Sequence, residues 1–331
     1  MNDGRSFQFD VVGVGANSVD YVYRVPRFPL PHGPAAKQAI AAHLVTCGGQ
    51  TATALCTCAA MGLRTKYVGA IGNDANGARM RAELARRGVD VEHACVRDAP
   101  SPYAVIVLDD RAGERVVLWH RDPALRLRPE EIDASIIGRT RLLHVDDADE
   151  EAAIGAARCA GEMGVPVTSD IERVSSRTEE LVAAVSVPIF AERVPEALTG
   201  EEDVERALRV IQTRRPGPVG PGGSRRTRPT YESGLVCVTL GARGAMLLSG
   251  DRLYHEPALR VSTVDTTGAG DVFRGAFIVA LLRGDGPADI LRFAVAAAAL
   301  SCTRVGAMAG IPTVSEVEAV TKATTPGSSC A

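Results

Sequence analysis

The chain has 331 residues, 46% of them apolar and 23% charged, with a formal net charge of −3. This is the mix of a globular domain with one large α/β core, and its charges are spread out rather than gathered into the basic face that nucleic acid demands. No nucleic-acid partner is therefore expected. No run reaches the roughly 18 apolar residues of a membrane span, and the start MNDGRSFQFD lacks the apolar core of a signal peptide. A cytoplasmic protein with no membrane partner is expected. The eight cysteines are scattered, with no CxxC pair, and read as reduced thiols rather than a metal site.

The Val-rich stretch 9–14 predicts a first strand buried on both faces. Four prolines within 22–34 predict an irregular or edge segment. Helical spacing runs over 51–61 and stops at Gly62; a strand over 66–71 and a helix over 75–87 follow, the latter closed by Gly88. Strands over 103–108 and 115–119 flank a turn-rich hairpin connection. Beyond Leu142 strand and helix alternate: strands over 142–145, 166–169, 187–190, 235–240 and 245–248, helices over 150–163, 176–184, 204–212, 270–282 and 287–301. That alternation predicts a central, mostly parallel sheet with helices on both faces, in a single domain. The segments at about 20–47 and 98–123 are predicted to form a small β lid. The stretch 214–231, rich in Pro, Gly and Arg, is predicted to be a flexible surface insertion.

The strongest chemical signal is Asp265-Thr266-Thr267-Gly268-Ala269-Gly270-Asp271, followed by Val272-Phe273-Arg274-Gly275-Ala276-Phe277. Gly268, Ala269 and Gly270 leave backbone amides bare where a helix begins, and amides at a helix N-terminus bind anions. Asp271, in the first turn, sits within reach of a phosphate held there and is placed to take a proton from an attacking hydroxyl. Read alone, GAGD also fits a glycine turn whose Asp caps a helix. A second region is Gly48-Gly49-Gln50-Thr51-Ala52-Thr53, then Ala60-Met61-Gly62 and Val68-Gly69-Ala70-Ile71-Gly72-Asn73-Asp74-Ala75-Asn76-Gly77. Its glycine pair would let a small molecule lie against bare backbone.

Together these two regions resemble the C-terminal and N-terminal motifs of the PfkB (ribokinase-like) carbohydrate kinases, over about residues 9–320. The resemblance implies a ribokinase-like fold and ATP-dependent phosphotransfer, with Mg2+, to a sugar or nucleoside hydroxyl. It implies Asp271 as base and Gly268 to Gly270 as anion hole. Asp20 is similar to the family's sugar-hydroxyl ligand, with Gly48, Gly49 and Thr53 beside it. Asp146 resembles the polar residue at the end of a core strand, though its neighbour Asp147 could fill that place. Thr239, Gly241 and Gly244 resemble the nucleotide-binding turn, with Thr266 near the phosphates. Arg121 is a lid arginine placed to meet a transferring phosphoryl group, while its neighbour His120 reads as a polar residue at the hairpin end. Asp265 and the loop 302–309 occupy the place of a monovalent-cation site, so K+ activation is an expectation, as is a homodimer through the lid.

The chain departs from the family pattern at three places. Thr53 stands for a common Asn, Ala191-Glu192-Arg193-Val194 lacks both defining residues of the Asn-x-x-Glu segment, and Val295 stands where Asn is frequent near the adenine. Gln50, where some relatives carry a basic residue, points to an unphosphorylated sugar. A nucleoside kinase, or a non-catalytic sugar or nucleotide sensor, are the alternatives. Gly13-x-Gly15 lacks the third glycine of a dinucleotide fingerprint, and no GxxxxGK[ST] loop is present.

Overall fold

Strand β1 (Phe9–Val14) is buried at every position because it runs parallel between β4 (Thr65–Val68) and β10 (Thr140–Asp146) with side chains packed on both faces. The structure is a computed structural model and describes residues 7–111, 114–215 and 234–324. With β6 (Val89–Asp90) and β11 (Val167–Asp170) the first sheet has the order β11-β10-β1-β4-β6, all parallel. A second sheet contains β12 (Ile189–Phe190), β13 (Val236–Thr239), β14 (Ala245–Ser249) and β15 (Arg252–Glu256), parallel at its first pair and antiparallel after it. Single bridges at Thr168–Val187 and Ile171–Phe190 join the two sheets into one mostly parallel surface.

Helices cover both faces. Val11 belongs to a core cluster with α1 (Gln50–Ala60), α2 (Ala75–Arg86), α8 (Ala269–Arg283), α9 (Pro287–Ser301) and α10 (Val314–Thr324). Val12 and Val14 turn to the other cluster, with α3 (Ala134–Ile137), α4 (Glu150–Glu162), α5 (Thr178–Ala184), α6 (Val194–Thr199) and α7 (Val204–Arg214). Helix α8 is buried without a break from Asp271 to Leu281. It reaches α1 only because residue 275 is glycine: a Cβ there would lie 2.5 Å from Thr57 Cβ and 2.6 Å from the Ala54 carbonyl oxygen.

A separate four-stranded sheet has the order β3-β2-β8-β9, built from β2 (Ser18–Val25), β3 (Ala42–Gly48), β8 (Tyr103–Asp109) and β9 (Arg115–His120). The predicted irregular segment 22–34 is therefore strand as far as Val25. β2 pairs with β3 on one side and β8 on the other, and its prolines begin only at Pro26. The predicted strand 66–71 is two strands, β4 and β5 (Ala70–Gly72), broken at Gly69. A Cβ at Gly69 would meet the Tyr67 hydroxyl at 2.1 Å. β5 pairs with β7 (Cys95–Arg97) instead of continuing in the main sheet. Of the stretch predicted as an insertion, Arg214 closes α7 and Arg215 donates to the Val185, Ser186 and Leu235 carbonyls. The rest lies outside the described residues. The seven described cysteines are free thiols.

Candidate active site

The parallel strands end on one rim, where ligands bind in open α/β sheets. β10 ends at Asp146, whose Oδ2 accepts from Ala16 N and Thr51 Oγ1, each at 2.7 Å, and whose Oδ1 accepts from Ala148 N at 3.0 Å. Burial raises its carboxyl to about 6. A Cβ on Gly15 would lie 2.2 Å from Oδ2, so glycine at that position lets the end of β1 close on Asp146. Asp146 thus ties β1 to the first turn of α1, with its oxygens taken by protein donors. Its neighbour Asp147 accepts from Glu172 N and Arg173 N at 2.9 and 3.1 Å and from Gln50 Nε2 at 3.4 Å.

Asp20 lies on β2 opposite Thr46, with Gly48 just beyond on β3. A Cβ at Gly48 would sit 2.5 Å from Asp20 Oδ2, so the bare glycine makes room for the carboxylate. Burial raises the Asp20 carboxyl, Ser18 Oγ donates to it at 2.8 Å, and the charge of Asp265 adds to the rise. Gly49 has φ +99° and packs against the Asn17 backbone, where a Cβ would come within 2.4 Å. Thr53 is fully buried, and its hydroxyl has no partner among the described residues. Arg121 does not present a free guanidinium. Nη1 donates to Asp149 Oδ1 at 2.9 Å and Nη2 to the Leu125 carbonyl at 2.9 Å. It fastens the exit of β9 to the start of α4, because a half-buried guanidinium beside a buried carboxylate pairs with it.

At the other side of the rim, Asp265 Oδ1 accepts from Thr267 N at 2.8 Å and Oδ2 from Gly306 N at 2.9 Å, which locks the glycine turn to the loop 302–309. Gly268 caps α8 in the left-handed region at φ +76°, and a Cβ there would lie 2.4 Å from Ala307 Cβ. Ala269 N turns back to the Thr266 carbonyl at 3.3 Å and Val272 N to the Gly268 carbonyl at 2.9 Å. Gly270 N and Asp271 N are left without a backbone acceptor among the described residues, as the first amides of a helix are. Thr266 is exposed, and its hydroxyl meets Arg115 Nη1 at the start of β9. Burial raises the Asp271 carboxyl well above the ordinary range, Glu172 adds to this, and Arg274 opposes it.

Three residues that the sequence alone did not single out stand here. Carboxylate oxygens of Asp170, Glu172 and Asp271 lie within 4.8 Å of one another. Arg274, 1% exposed, places Nη2 at 2.6 Å from Asp170 Oδ1. Arg274 is the one charged residue in the run from Val272 to Leu282. A lone charge in an otherwise apolar helix calls for a buried partner, and that was the available signal.

In the predicted nucleotide turn, Thr239 Oγ1 donates to the Phe190 carbonyl at 3.3 Å, and Gly241 has φ +54°. Gly244 has φ +91° and would bring a Cβ to 2.0 Å from the Glu256 carbonyl oxygen, so β15 alone already demands glycine there. Glu192, in the segment lacking Asn and Glu, pairs with Arg243 at 2.9 Å. Val295 is buried in α9.

A mostly parallel sheet with a glycine-opened helix at its rim and a small second sheet beside it defines a carbohydrate kinase of the ribokinase-like fold. The chain belongs to the pfkB family carbohydrate kinases: the family model matches residues 8–219 and 225–314. Members of this family are ATP-dependent phosphotransferases, and this chain is one of them. It is 29% identical to an ATP-dependent ribose-1-phosphate kinase of Halopiger xanaduensis over 93% of this chain and 97% of the relative. It is 26% identical to a ribokinase of Haemophilus influenzae over 92% and 95%. A ribokinase structure from Thermotoga maritima matches with a TM-score of 0.75 at 26% identity, covering 95% of this chain and 99% of that one.

Proposed function

We propose that the protein transfers the γ-phosphoryl group of Mg-ATP to a hydroxyl of a small unphosphorylated sugar, with Asp271 as the base. The observation that carries this reading is the position of Asp271 in the first turn of α8, beside the bare Gly270 amide. The hydroxyl proton passes to Asp271 as the hydroxyl oxygen bonds to the γ-phosphorus, and the bond from phosphorus to the β–γ bridging oxygen breaks to release ADP. The Gly268–Gly270 turn offers its amides to the transferring group. Asp20, with Gly48 and Gly49 beneath it, accepts from sugar hydroxyls, while Asp146 and Arg121 hold the surrounding backbone. ATP lies along Thr239, Gly241 and Gly244, and the β2-β3-β8-β9 sheet acts as the lid.

Charge argues for a neutral acceptor. The sugar side holds the carboxylates Asp20 and Asp147, and the lid arginine, Arg121, is committed to Asp149. A sugar phosphate would meet uncompensated negative charge. Magnesium enters with ATP as substrate. The Asn-x-x-Glu place holds Ala191 and Val194, Glu192 is paired with Arg243, and the carboxylates around Asp271 already have Arg274, so no protein ligand set for magnesium is assigned.

ADP release from Mg-ATP across D-ribose, D-fructose, ribose 1-phosphate and adenosine tests the reading. A free sugar is expected to turn over fastest. Preference for adenosine would establish the nucleoside kinase, and preference for ribose 1-phosphate would refute the charge argument. The missing Asn and Glu favour a second reading, a sensor, and ATP binding with no turnover of any compound would support it.

The reading includes a homodimer through the lid. β9 is an edge strand that leaves Val116, Val117, Leu118 and Trp119 44–70% exposed, an open apolar edge of the kind proteins cover. Light scattering is expected to report a dimer that Trp119→Glu weakens. A wild-type monomer at micromolar concentration would contradict it.

A further inference from the structure

Arg274 takes no part in the chemistry above, yet its guanidinium is buried directly beneath it. It follows Asp271 by three residues on α8, so both side chains lie on one face of the helix. A Cβ on Gly270 would come within 2.6 Å of Arg274 Nη1, so the guanidinium lies against the turn that carries the bare amides. On its far side Nη2 contacts Asp170 at 2.6 Å. Nη2 and Nε make no aligned hydrogen bond within the described residues, so Arg274 acts here as a charge more than as a donor. Like charges repel strongly at such spacing when buried, and the buried carboxylates of Asp170 and Asp271, with the exposed one of Glu172 close to both, act on this cation.

We propose that Arg274, anchored by Asp170, is a positioning residue whose charge favours the ionised form of Asp271. This rests on Asp271 being the base. Arg274 faces Asp271 on its own helix, His144 on β10, Asp170 on β11, Glu172 just after β11 and Cys237 on β13. Asp271 also meets the charges of Asp146 and Asp20. His144, buried and beside Arg274, is held down at about 3 and stays neutral, so Arg274 is the cation of the group. Burial works against the charge on Arg274, and Asp170, Glu172 and Asp271 more than restore it. The acid limb of the pH–rate profile is where its effect is read, because only the ionised Asp271 accepts a proton.

The test is kcat/KM against pH for the full chain with Mg-ATP and D-ribose, or whichever of the four acceptors turns over fastest. Arg274→Met is expected to move the acid limb upward by roughly one to three pH units, the usual effect of a close opposite charge, with activity recovering at high pH. Arg274→Lys is expected to restore most of the wild-type limb. Asp170→Asn, which frees the guanidinium and removes a like charge, is expected to move the limb downward. Should Arg274→Met leave Asp170 unpaired and the chain unfolded, Arg274→Met with Asp170→Leu removes both buried charges, and its limb is expected to lie above that of Asp170→Asn. A uniform loss of rate with the limb unmoved in the folded variants overturns the proposal, as does Lys behaving like Met. Should Asp271→Asn keep near-normal activity, the reading of the base fails instead, and the two failures are told apart by that variant alone.

Discussion

Asp271→Asn is expected to lower kcat by about 10²–10⁴-fold, the usual contribution of a positioned general base, while the fold persists. The substitution keeps the side chain's shape and removes its ability to take a proton. The remaining rate is expected to come from the proposed anion hole and from positioning, which the change does not touch. Two further signs separate this from a packing defect. The acid limb of the wild-type pH–rate profile is expected above the ordinary carboxylate range, since burial and Glu172 raise Asp271, and that limb disappears in the Asn variant. Stability moves the other way. A carboxyl raised on folding contributes stability that is fully present below its ordinary value of 3.8 and is lost as pH rises through the folded value. Near neutral pH the Asn variant is therefore expected to melt no lower than wild type. A melting temperature that falls in step with activity would point to a structural role.

Gly268→Ala is expected to give the second largest effect, a fall in kcat on the order of 10²-fold, comparable to losing one oxyanion-type donor. Gly268 holds φ +76°, where a residue with a Cβ is disfavoured by roughly 1–2 kcal/mol. Its Cβ would also lie 2.4 Å from Ala307 Cβ, so the loop 302–309 must move, and with it the Asp265–Gly306 junction that holds the turn. Gly284, at the other end of α8, separates strain from site geometry. It has φ +82°, and a Cβ added there would meet nothing within 4 Å. Gly284→Ala carries the backbone strain without the clash, so it is expected to lower the melting temperature less than Gly268→Ala does and to leave kcat unchanged. Equal kcat losses in both variants would show that the turn acts only through stability.

Elements with strong local signals were legible in the sequence. β1, α1, α2, α8 and α9 lie within a residue or two of expectation, because each joins an uninterrupted apolar run or helical period to a glycine or proline boundary. β2 was obscured by the prolines after it. β3 escaped because its first three residues are exposed and pairing with β2, rather than an apolar pattern, makes it a strand. The break at Gly69 depends on Tyr67 reaching the Gly15 carbonyl at 2.8 Å, a contact between segments far apart in the chain. The same division runs through the site. Asp271 and its glycines announce themselves by spacing, and Asp20 with Gly48 by resemblance. Asp146 and Arg121 were recognisable as candidates, but their commitments to Thr51 and Asp149 arise only when separate strands and helices converge. Arg274 and Asp170 form a pair across α8 and β11, and sequence spacing gives no sign of that partner.

Transfer of label from [γ-32P]ATP to D-ribose, D-fructose, ribose 1-phosphate and adenosine, with wild type and Asp271→Asn side by side, tests the central claim most directly. The expected result is a labelled sugar phosphate formed from a free sugar by wild type and reduced by about 10²-fold or more in the variant. Labelled product at a near-wild-type rate with Asp271→Asn, or no labelled acceptor at all from a wild-type chain that binds ATP, would contradict it.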